Sequence, residues 1–178
     1  VWCSYKYLNA GPGGLAGAFV HESHLKDQRI DRFEGWWGHD KASRFKMGPK
    51  FQPIPTVEAW QLSNPPILQL AALRTSTDLF VEAGMKNLRL RGDRLTSYLE
   101  FLLKENCEGK LDVITPGARG SMLCVQMKND PKPLVKVFGE KGIMLDFREP
   151  DILRITPAPL YNSFEDCFRL VAIMKESL

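Results

Sequence analysis

The second half of the chain shows clear periods of apolar positions. From Leu95 to Leu103, apolar side chains recur at three- and four-residue spacings, which places them on one face of a helix. Further along, the spacing changes to two, and segments 111–115 and 121–127 predict a hairpin around the turn at 116–120. These patterns indicate helices packed on a small, partly antiparallel sheet.

Proline and glycine mark the ends of further elements. The pair Pro65-Pro66 predicts a helix that begins near Ile67 and runs towards Gly84 or on to Leu90, because proline is tolerated in the first turn of a helix but not deeper. Three shorter elements complete the pattern: a helix over 134–141 and strands over 143–147 and 152–156.

The final helix begins near Asn162 or Ser163. Acidic residues follow three positions later, which completes a capping box. The spacing places five side chains on one face of this helix: Phe164, Cys167, Phe168, Val171 and Lys175.

The first 66 residues lack a sustained period. Residues 1–5 are typical of the end of a strand, and residues 15–20 of a buried strand. Glycines at 11, 13, 14 and 17 predict a loop whose backbone approaches another group closely. Residues 22–56 are irregular, and so long a loop region is usually functional or covered by a partner. Because the chain opens within an element, we expect an N-terminal part before it.

Composition excludes several classes of protein. The 178 residues carry 24 basic and 21 acidic side chains, so the net charge of +3 is too weak and too dispersed for a nucleic-acid partner. No apolar run approaches the roughly 20 residues that a membrane-spanning helix needs. The four cysteines lack metal-binding or disulfide spacing, which favours buried, reduced thiols in a cytoplasmic protein.

Lys6 is the first candidate for chemistry. It follows the opening strand, precedes the glycine loop and lies between Tyr5 and Tyr7. One interpretation is a solvated surface charge. The other is an amine in a partly dry aromatic pocket, where desolvation makes it nucleophilic towards an aldehyde such as pyridoxal phosphate.

Two loop segments are candidates for ligand contacts. Adjacent Trp36 and Trp37 in a polar, glycine-bounded loop cannot both enter one core, so at least one meets a ligand or a partner chain, or anchors the loop. Ser63 and Asn64 precede a predicted helix start, a position that suits either an anion such as phosphate or ordinary capping.

Arg154 is a charge within the apolar strand 152–156. Its fork of N–H donors matches a carboxylate, so a structural ion pair and a substrate carboxylate are both open. The three histidines lack a ligand spacing with a third donor, so no metal site is expected: His21, His24 and His39.

Four segments together resemble one family, the kynureninases. They are WCSYKYLNAGPGG at 2–14, GWWGH at 35–39, SNPPI at 63–67 and RITPAPLYNSF at 154–164. The resemblance implies the α/β, PLP-dependent transferase-like fold of aspartate aminotransferase (fold type I). Residues 1–66 would be the end of the large cofactor-binding domain. Residues 67–178 would form a small α+β domain, with a mostly antiparallel sheet covered by helices.

The resemblance also implies an activity and a cofactor. Kynureninases are pyridoxal-phosphate-dependent hydrolases that cleave L-kynurenine or 3-hydroxy-L-kynurenine to L-alanine and an anthranilate, in tryptophan catabolism. By this resemblance Lys6 would bond to the cofactor and move the substrate's α-proton. Tyr5 would contact the cofactor phosphate and assist proton transfer.

The remaining motifs complete the implied site. Trp36 and Asn64 would bind the cofactor phosphate from the neighbouring subunit of a homodimer. Ser63 and Asn64 would border the pocket for the substrate's aromatic ring, and Arg154 would hold the substrate's α-carboxylate. The family's aspartate at the pyridine nitrogen and its ring-stacking residue lie upstream of the lysine, so we expect the N-terminal half as a partner and no competent cofactor binding by this chain alone.

Two alternatives remain open. One is an aminotransferase or cysteine desulfurase of the same fold, which shares the lysine and the arginine but gives no reason for GWWGH or SNPP. The other is a catalytically silent dimerisation module built from the small domain.

Overall fold

The structure is a computed structural model that describes residues 1–27 and 29–178. The chain divides into two units, Val1–Leu79 and Phe80–Leu178. The division into domains at residue 66 stays a prediction. The helices are α1 (Glu22–Leu25), α2 (Ile67–Ala83), α3 (Met85–Asn106), α4 (Lys132–Glu140) and α5 (Phe164–Ser177). The strands are β1 (Trp2–Cys3), β2 (Ala16–Gly17), β3 (Leu111–Val113), β4 (Leu123–Met127), β5 (Asp146–Arg148) and β6 (Ile152–Ile155).

The first unit contains little regular structure. Strands β1 and β2 pair antiparallel, with Trp2 opposite Gly17. A Cβ atom on Gly17 would lie 2.3 Å from the Trp2 ring, so only glycine leaves room for the indole. The opening strand is confirmed. The prediction of a buried strand over 15–20 is wrong, because β2 is two residues long and Phe19 is 74% exposed.

The irregular character of residues 22–56 is confirmed in the part of the chain that the structure describes. It holds the one-turn helix α1, single turns of 3-10 helix at Trp36–Gly38 and Arg44–Lys46, and one isolated bridge between His39 and Pro53. A third such turn follows at Val57–Trp60, where the side chain of Thr56 accepts a hydrogen bond from the Glu58 N–H. The regular structure of this segment is therefore limited to short turns and a bridge.

Gly84 separates two long helices. It has φ +77°, in the left-handed region that favours glycine, and its N–H donates to the carbonyl of Phe80. Helix α2 therefore ends at Ala83 and α3 begins at Met85, which confirms the predicted run from Ile67 towards Gly84. The extension of this helix to Leu90 is wrong, because the left-handed Gly84 interrupts it.

The second unit is built on a four-stranded antiparallel sheet in the order β3-β4-β6-β5. The β3–β4 hairpin confirms the prediction, with Val113 opposite Val125. The predicted strand over 143–147 is displaced, since β5 begins at Asp146. The cause is the end of α4: Gly142 adopts φ +73° and the Ile143 N–H donates to the Phe138 carbonyl, which keeps this segment out of the sheet.

The core of the second unit lies between the sheet and its helices. The predicted apolar face of α3 is confirmed, and α3 packs against α5. On α5 the capping box of Ser163 and Asp166 is also confirmed. The predicted face is rotated, however, because Phe168 is 52% exposed. The α5 side chains that enter the core are Cys167, Leu170, Val171 and Met174.

All four cysteines are free thiols, but they are not all buried. Cys107 and Cys167 lie in the core, where burial raises the pKa of the Cys167 thiol to about 11 and suppresses its thiolate. Cys124 is half-buried and Cys3 is exposed. Cys3 therefore departs from the prediction, because both residues of its short strand are exposed.

No helix in the described residues is both long and apolar enough to cross a bilayer.

Phe138 of α4 tests the core of the second unit. Its side chain is fully buried, so Phe138→Ala should lower the free energy of unfolding by about 3–5 kcal/mol, through lost burial and an unfilled cavity. Urea denaturation followed by circular dichroism measures the change. Phe101→Ala is the matched control because that ring is 57% exposed, and it should cost less than about 0.5 kcal/mol. Equal losses in the two variants would contradict this core.

Candidate active site

Lys6 lies in a tight reversal of the chain directly after β1. The N–H of Asn9 donates to the Lys6 carbonyl at 3.0 Å, and the N–H of Ala10 donates to the Ser4 carbonyl at 3.0 Å. Asn9 takes φ 54°, a left-handed conformation that asparagine tolerates better than most residues. The backbone on both sides of Lys6 is thus fixed by local hydrogen bonds.

Two serines anchor this loop from inside the first unit. Ser4 is 1% exposed, and its hydroxyl donates to the Leu15 carbonyl across the glycine loop. Ser76 on α2 is also buried, and its hydroxyl donates to the Leu8 carbonyl. Both serines act on the backbone through single hydroxyl groups, a contact that leaves no periodic signal in the sequence.

The side chain of Lys6 is exposed. Its Nζ lies 5.4 Å from the centroid of the Tyr5 ring, and no carboxylate among the described residues lies within 4.0 Å of it. Tyr5 and Tyr7 are themselves 48% and 56% exposed. The aromatic surroundings of the amine therefore consist of one ring, and in this chain Lys6 is a solvated surface charge and does not lie in a partly dry aromatic pocket. The cofactor role of Lys6 and Tyr5 stays a prediction.

The paired tryptophans are held by an arginine that the motif does not include. Their rings meet edge to face, with centroids 5.4 Å apart. The guanidinium of Arg44 lies 5.5 Å from the Trp36 ring and 5.0 Å from the Trp37 ring, and it donates to the carbonyls of Trp37 and His39. Trp37 is half-buried, whereas Trp36 is 44% exposed. Trp37 therefore anchors the loop, whereas Trp36 faces outward, where a ligand or a partner chain could contact it.

The glycines of GWWGH bring this loop onto the segment before Ser63. A Cβ atom on Gly35 would lie 2.2 Å from the Cα of Leu62, and one on Gly38 would lie 2.7 Å from the Ala59 carbonyl oxygen. The Trp37 N–H also donates to the Leu62 carbonyl at 3.4 Å. This backbone contact places the loop that carries Trp36 against the residue that precedes Ser63.

Ser63 and Asn64 are exposed. Neither side chain makes a hydrogen bond within the described residues, although the Ser63 carbonyl accepts one from the Gln61 amide at 3.1 Å. The capping alternative is therefore not what the structure shows. Both polar groups remain available to a ligand or a second chain.

Arg154 lies on the outer face of β6, directly opposite Asp146 on β5. Its Nε donates to Asp146 Oδ2 at 2.5 Å, and its Nη2 donates to the same oxygen. The Nε of Arg148 also donates to that oxygen, at 3.1 Å. The hydrogen bond from Arg154, and then the charges of both arginines, hold the pKa of the Asp146 carboxyl below its usual range.

The structure unites some of the predicted residues and leaves others apart. Trp36 and the Ser63-Asn64 segment meet through the Gly35 contact. Among the described residues, no hydrogen bond, ion pair or ring contact joins Lys6 to either of them. No cluster of metal-ligating side chains is found in that part of the chain either. Sequence reasoning missed Asp146, whose only signal is its place two residues before Arg148 in a short strand.

The ion pair of Asp146 predicts how stability depends on pH. The folded pKa of Asp146 lies below its usual 3.8, so the pair stabilises the fold fully above that pH and loses its contribution as pH falls through the folded pKa. Urea unfolding at pH values above and below 3.8 measures this loss. Arg154→Gln removes the main cause of the shift and should flatten the dependence. An unchanged pH dependence in that variant would contradict the assignment.

Comparison with known proteins identifies the family. Residues 88–174 match the family model described as the kynureninase C-terminal domain. The chain is 56% identical over 178 residues to the kynureninase of Myxococcus xanthus strain DK1622, covering 98% of this chain and 42% of that protein. It is 50% identical over 173 residues to the kynureninase of Koribacter versatilis strain Ellin345, covering 96% of this chain and 41% of that protein. The chain thus spans about two fifths of the length of these relatives.

Solved structures confirm the predicted fold. The complex of the cystine C-S lyase C-DES with cysteine persulfide matches with a TM-score of 0.68 at 18% identity, covering 93% of this chain and 44% of that one. A C-DES mutant with glycine covalently linked to its PLP cofactor matches with a TM-score of 0.65 at 17% identity, covering 93% of this chain and 43% of that one. At these identities the likeness establishes the fold alone, that of the C-terminal portion of PLP-dependent transferase-like enzymes. On the combined sequence matches, the chain belongs to the kynureninase family and corresponds to the C-terminal part of its members.

Proposed function

We propose that this chain supplies active-site residues to a pyridoxal-phosphate-dependent hydrolase that cleaves L-kynurenine or 3-hydroxy-L-kynurenine to L-alanine and anthranilate or 3-hydroxyanthranilate. The observation that carries the proposal is the 56% identity to a kynureninase over nearly the whole chain. Because the chain spans 42% of that relative, the reaction is proposed for the complete protein. The four free thiols are compatible with the reducing cytoplasm, where we place the activity.

Two features of Lys6 are compatible with a bond to an aldehyde cofactor. Its amine has no carboxylate within 4.0 Å among the described residues, so no salt bridge must break before it reacts. Its backbone is fixed by the Asn9 and Ala10 hydrogen bonds, so the position from which the lysine side chain extends is defined. When bound, pyridoxal phosphate withdraws electrons from the substrate's α-carbon and makes its proton acidic. We assign to Lys6 Nζ the binding of the cofactor and the transfer of that proton.

The other exposed polar groups of the first unit fit a phosphate and an aromatic ring. The hydroxyl of Tyr5, the indole N–H of Trp36 and the amide of Asn64 are donors of the kind that a phosphate accepts. The side chains of Ser63 and Asn64 have no hydrogen-bond partner in the described residues, so they can border the substrate ring without losing an existing side-chain bond. In the second unit, Arg154 would bind the α-carboxylate.

We further propose a homodimer in which Trp36 and Asn64 bind the phosphate of the cofactor that is attached to Lys6 of the partner subunit. In this chain no side-chain contact joins these residues to Lys6 within the described residues. Helix α2 begins just after Asn64, and its Ile67 and Leu68 are 79% and 82% exposed. Apolar surface of this kind is typical of a protein interface, and a second copy would cover it beside the proposed phosphate donors.

Borohydride trapping at Lys6 tests the proposed activity. In the complete protein incubated with pyridoxal phosphate, reduction should attach the cofactor to the peptide that contains Lys6, as read by mass spectrometry. Lys6→Ala should abolish the adduct and lower kynurenine turnover by about 10²- to 10⁴-fold or more, because it removes both the amine and the proton carrier.

Lys50→Ala is the matched control, since Lys50 is an exposed lysine of the same unit. It should keep the adduct and the turnover. A Lys6→Ala variant with undiminished turnover would contradict the proposal. A wild-type protein that forms neither adduct nor product would favour the silent dimerisation module. Transamination or sulfur release instead of anthranilate would favour the alternatives of the same fold.

Sedimentation velocity tests the dimer. Leu68→Glu places a charge in the proposed apolar interface and should shift the complete protein from dimer towards monomer, because a buried unpaired carboxylate is strongly disfavoured. Gln69→Glu adds the same charge at the next exposed position of α2 and is the matched control. A wild-type monomer, or a Leu68→Glu dimer as stable as the wild type, would refute the assignment of this surface.

A further inference from the structure

We propose that Asp146 is a positioning residue for substrate recognition: it holds the guanidinium of Arg154 in the one orientation that leaves its outer edge free for the substrate's α-carboxylate. This inference rests on the proposed function, which assigns the carboxylate to Arg154. It adds a residue that the sequence motifs do not contain.

The atoms of the ion pair define which edge of Arg154 is used. A guanidinium offers two pairs of parallel N–H donors, one formed by Nε and Nη2 and the other by Nη1 and Nη2. Asp146 Oδ2 accepts from both Nε and Nη2, so it occupies the side edge. In the described residues Nη1 donates to no group. The Nη1–Nη2 edge therefore remains for a second, planar carboxylate.

Backbone register makes Asp146 a rigid support. Asp146 and Arg154 are directly opposite partners in the β5–β6 ladder, so their side chains leave the sheet side by side on the same face. The neighbouring pair, Phe147 and Leu153, turns towards the core and fixes this register from the other face. A short aspartate in this position restricts the long arginine side chain before any ligand arrives.

The local charge still favours an anion. Arg148 also donates to Asp146 Oδ2, so one carboxylate lies between two guanidinium groups and a net positive charge remains. The residue opposite Arg154 on the other neighbouring strand is the uncharged Cys124. Arg154 is 34% exposed and Asp146 is 44% exposed, so a ligand can reach the pair from outside.

The same contact has an opposite interpretation that experiment can separate. If Asp146 competed with the substrate for Arg154, its removal would strengthen substrate binding. If it positions Arg154, its removal frees the guanidinium to adopt other rotamers and weakens binding. The two cases differ in the sign of the change in KM.

Steady-state kinetics of the complete, cofactor-loaded protein test the inference. Asp146→Asn should raise KM for L-kynurenine about tenfold while kcat changes much less, because the lost interaction orients bound substrate and not the reacting bond. Asp146→Glu should recover part of the loss. Asp112→Asn is the matched control: Asp112 is an exposed aspartate of the same sheet whose partner is Lys128, and its KM should stay unchanged. An Asp146→Asn variant with unchanged or lower KM would overturn the inference.

Ligand binding provides a readout that does not need turnover. L-Alanine carries the α-carboxylate, whereas kynuramine lacks it. Asp146→Asn should weaken binding of L-alanine to the cofactor-loaded protein, measured by calorimetry, and leave the binding of kynuramine unchanged. Equal weakening of both ligands would indicate a general structural defect and overturn the positioning role.

Experiment can distinguish a failure of the proposed function from a failure of the positioning role of Asp146. A protein that binds L-alanine through Arg154 and Asp146 but does not cleave kynurenine would contradict the proposed function alone. If Arg154→Gln loses L-alanine binding while Asp146→Asn retains it, the positioning role of Asp146 fails and the carboxylate role of Arg154 stands.

Discussion

Side chains along β6 alternate between the core of the second unit and the outer face of the sheet. This alternation determines where the candidate substrate-binding arginine lies. Leu153 and Ile155 are buried against the helices, and the two-residue period of a strand therefore places Arg154 on the outer face. A one-residue slip would bury the guanidinium without a partner and expose two core side chains. The register that secures the core is the same register that sets Asp146 beside Arg154. Packing and recognition thus share one constraint.

The first unit relies on a different kind of constraint. Its candidate residues lie on loops held by backbone contacts: glycines that allow two segments to touch, and buried serine hydroxyls that bind carbonyl groups. Few large side chains are buried in it, and Phe33 and Met47 remain 85% and 90% exposed. Loops fixed in this way present their polar groups outward, where a ligand can reach them.

The two candidate groups differ in how much of their environment this chain supplies. Arg154 has its supporting carboxylate, its register and a free edge within one unit. Lys6 has a fixed backbone and one neighbouring ring, while its amine remains exposed. The chemistry of an amine depends on the charges and the solvent around it, so this chain supplies less of the environment proposed for Lys6 than of the environment proposed for Arg154.

The sequence by itself determined the elements with strong periods or caps and the family to which the chain belongs. The leucine face of α3, the β3–β4 hairpin and the Ser163 capping box depend on spacing between near neighbours, which a linear pattern records. Tertiary structure decided what depends on residues far apart in the chain. Gly35 meets Leu62, and Ser76 meets the backbone of Leu8, through contacts that leave no local signal. The partner of Arg154 was likewise open in the sequence, because a carboxylate is assigned to a guanidinium only when the sheet register places them side by side.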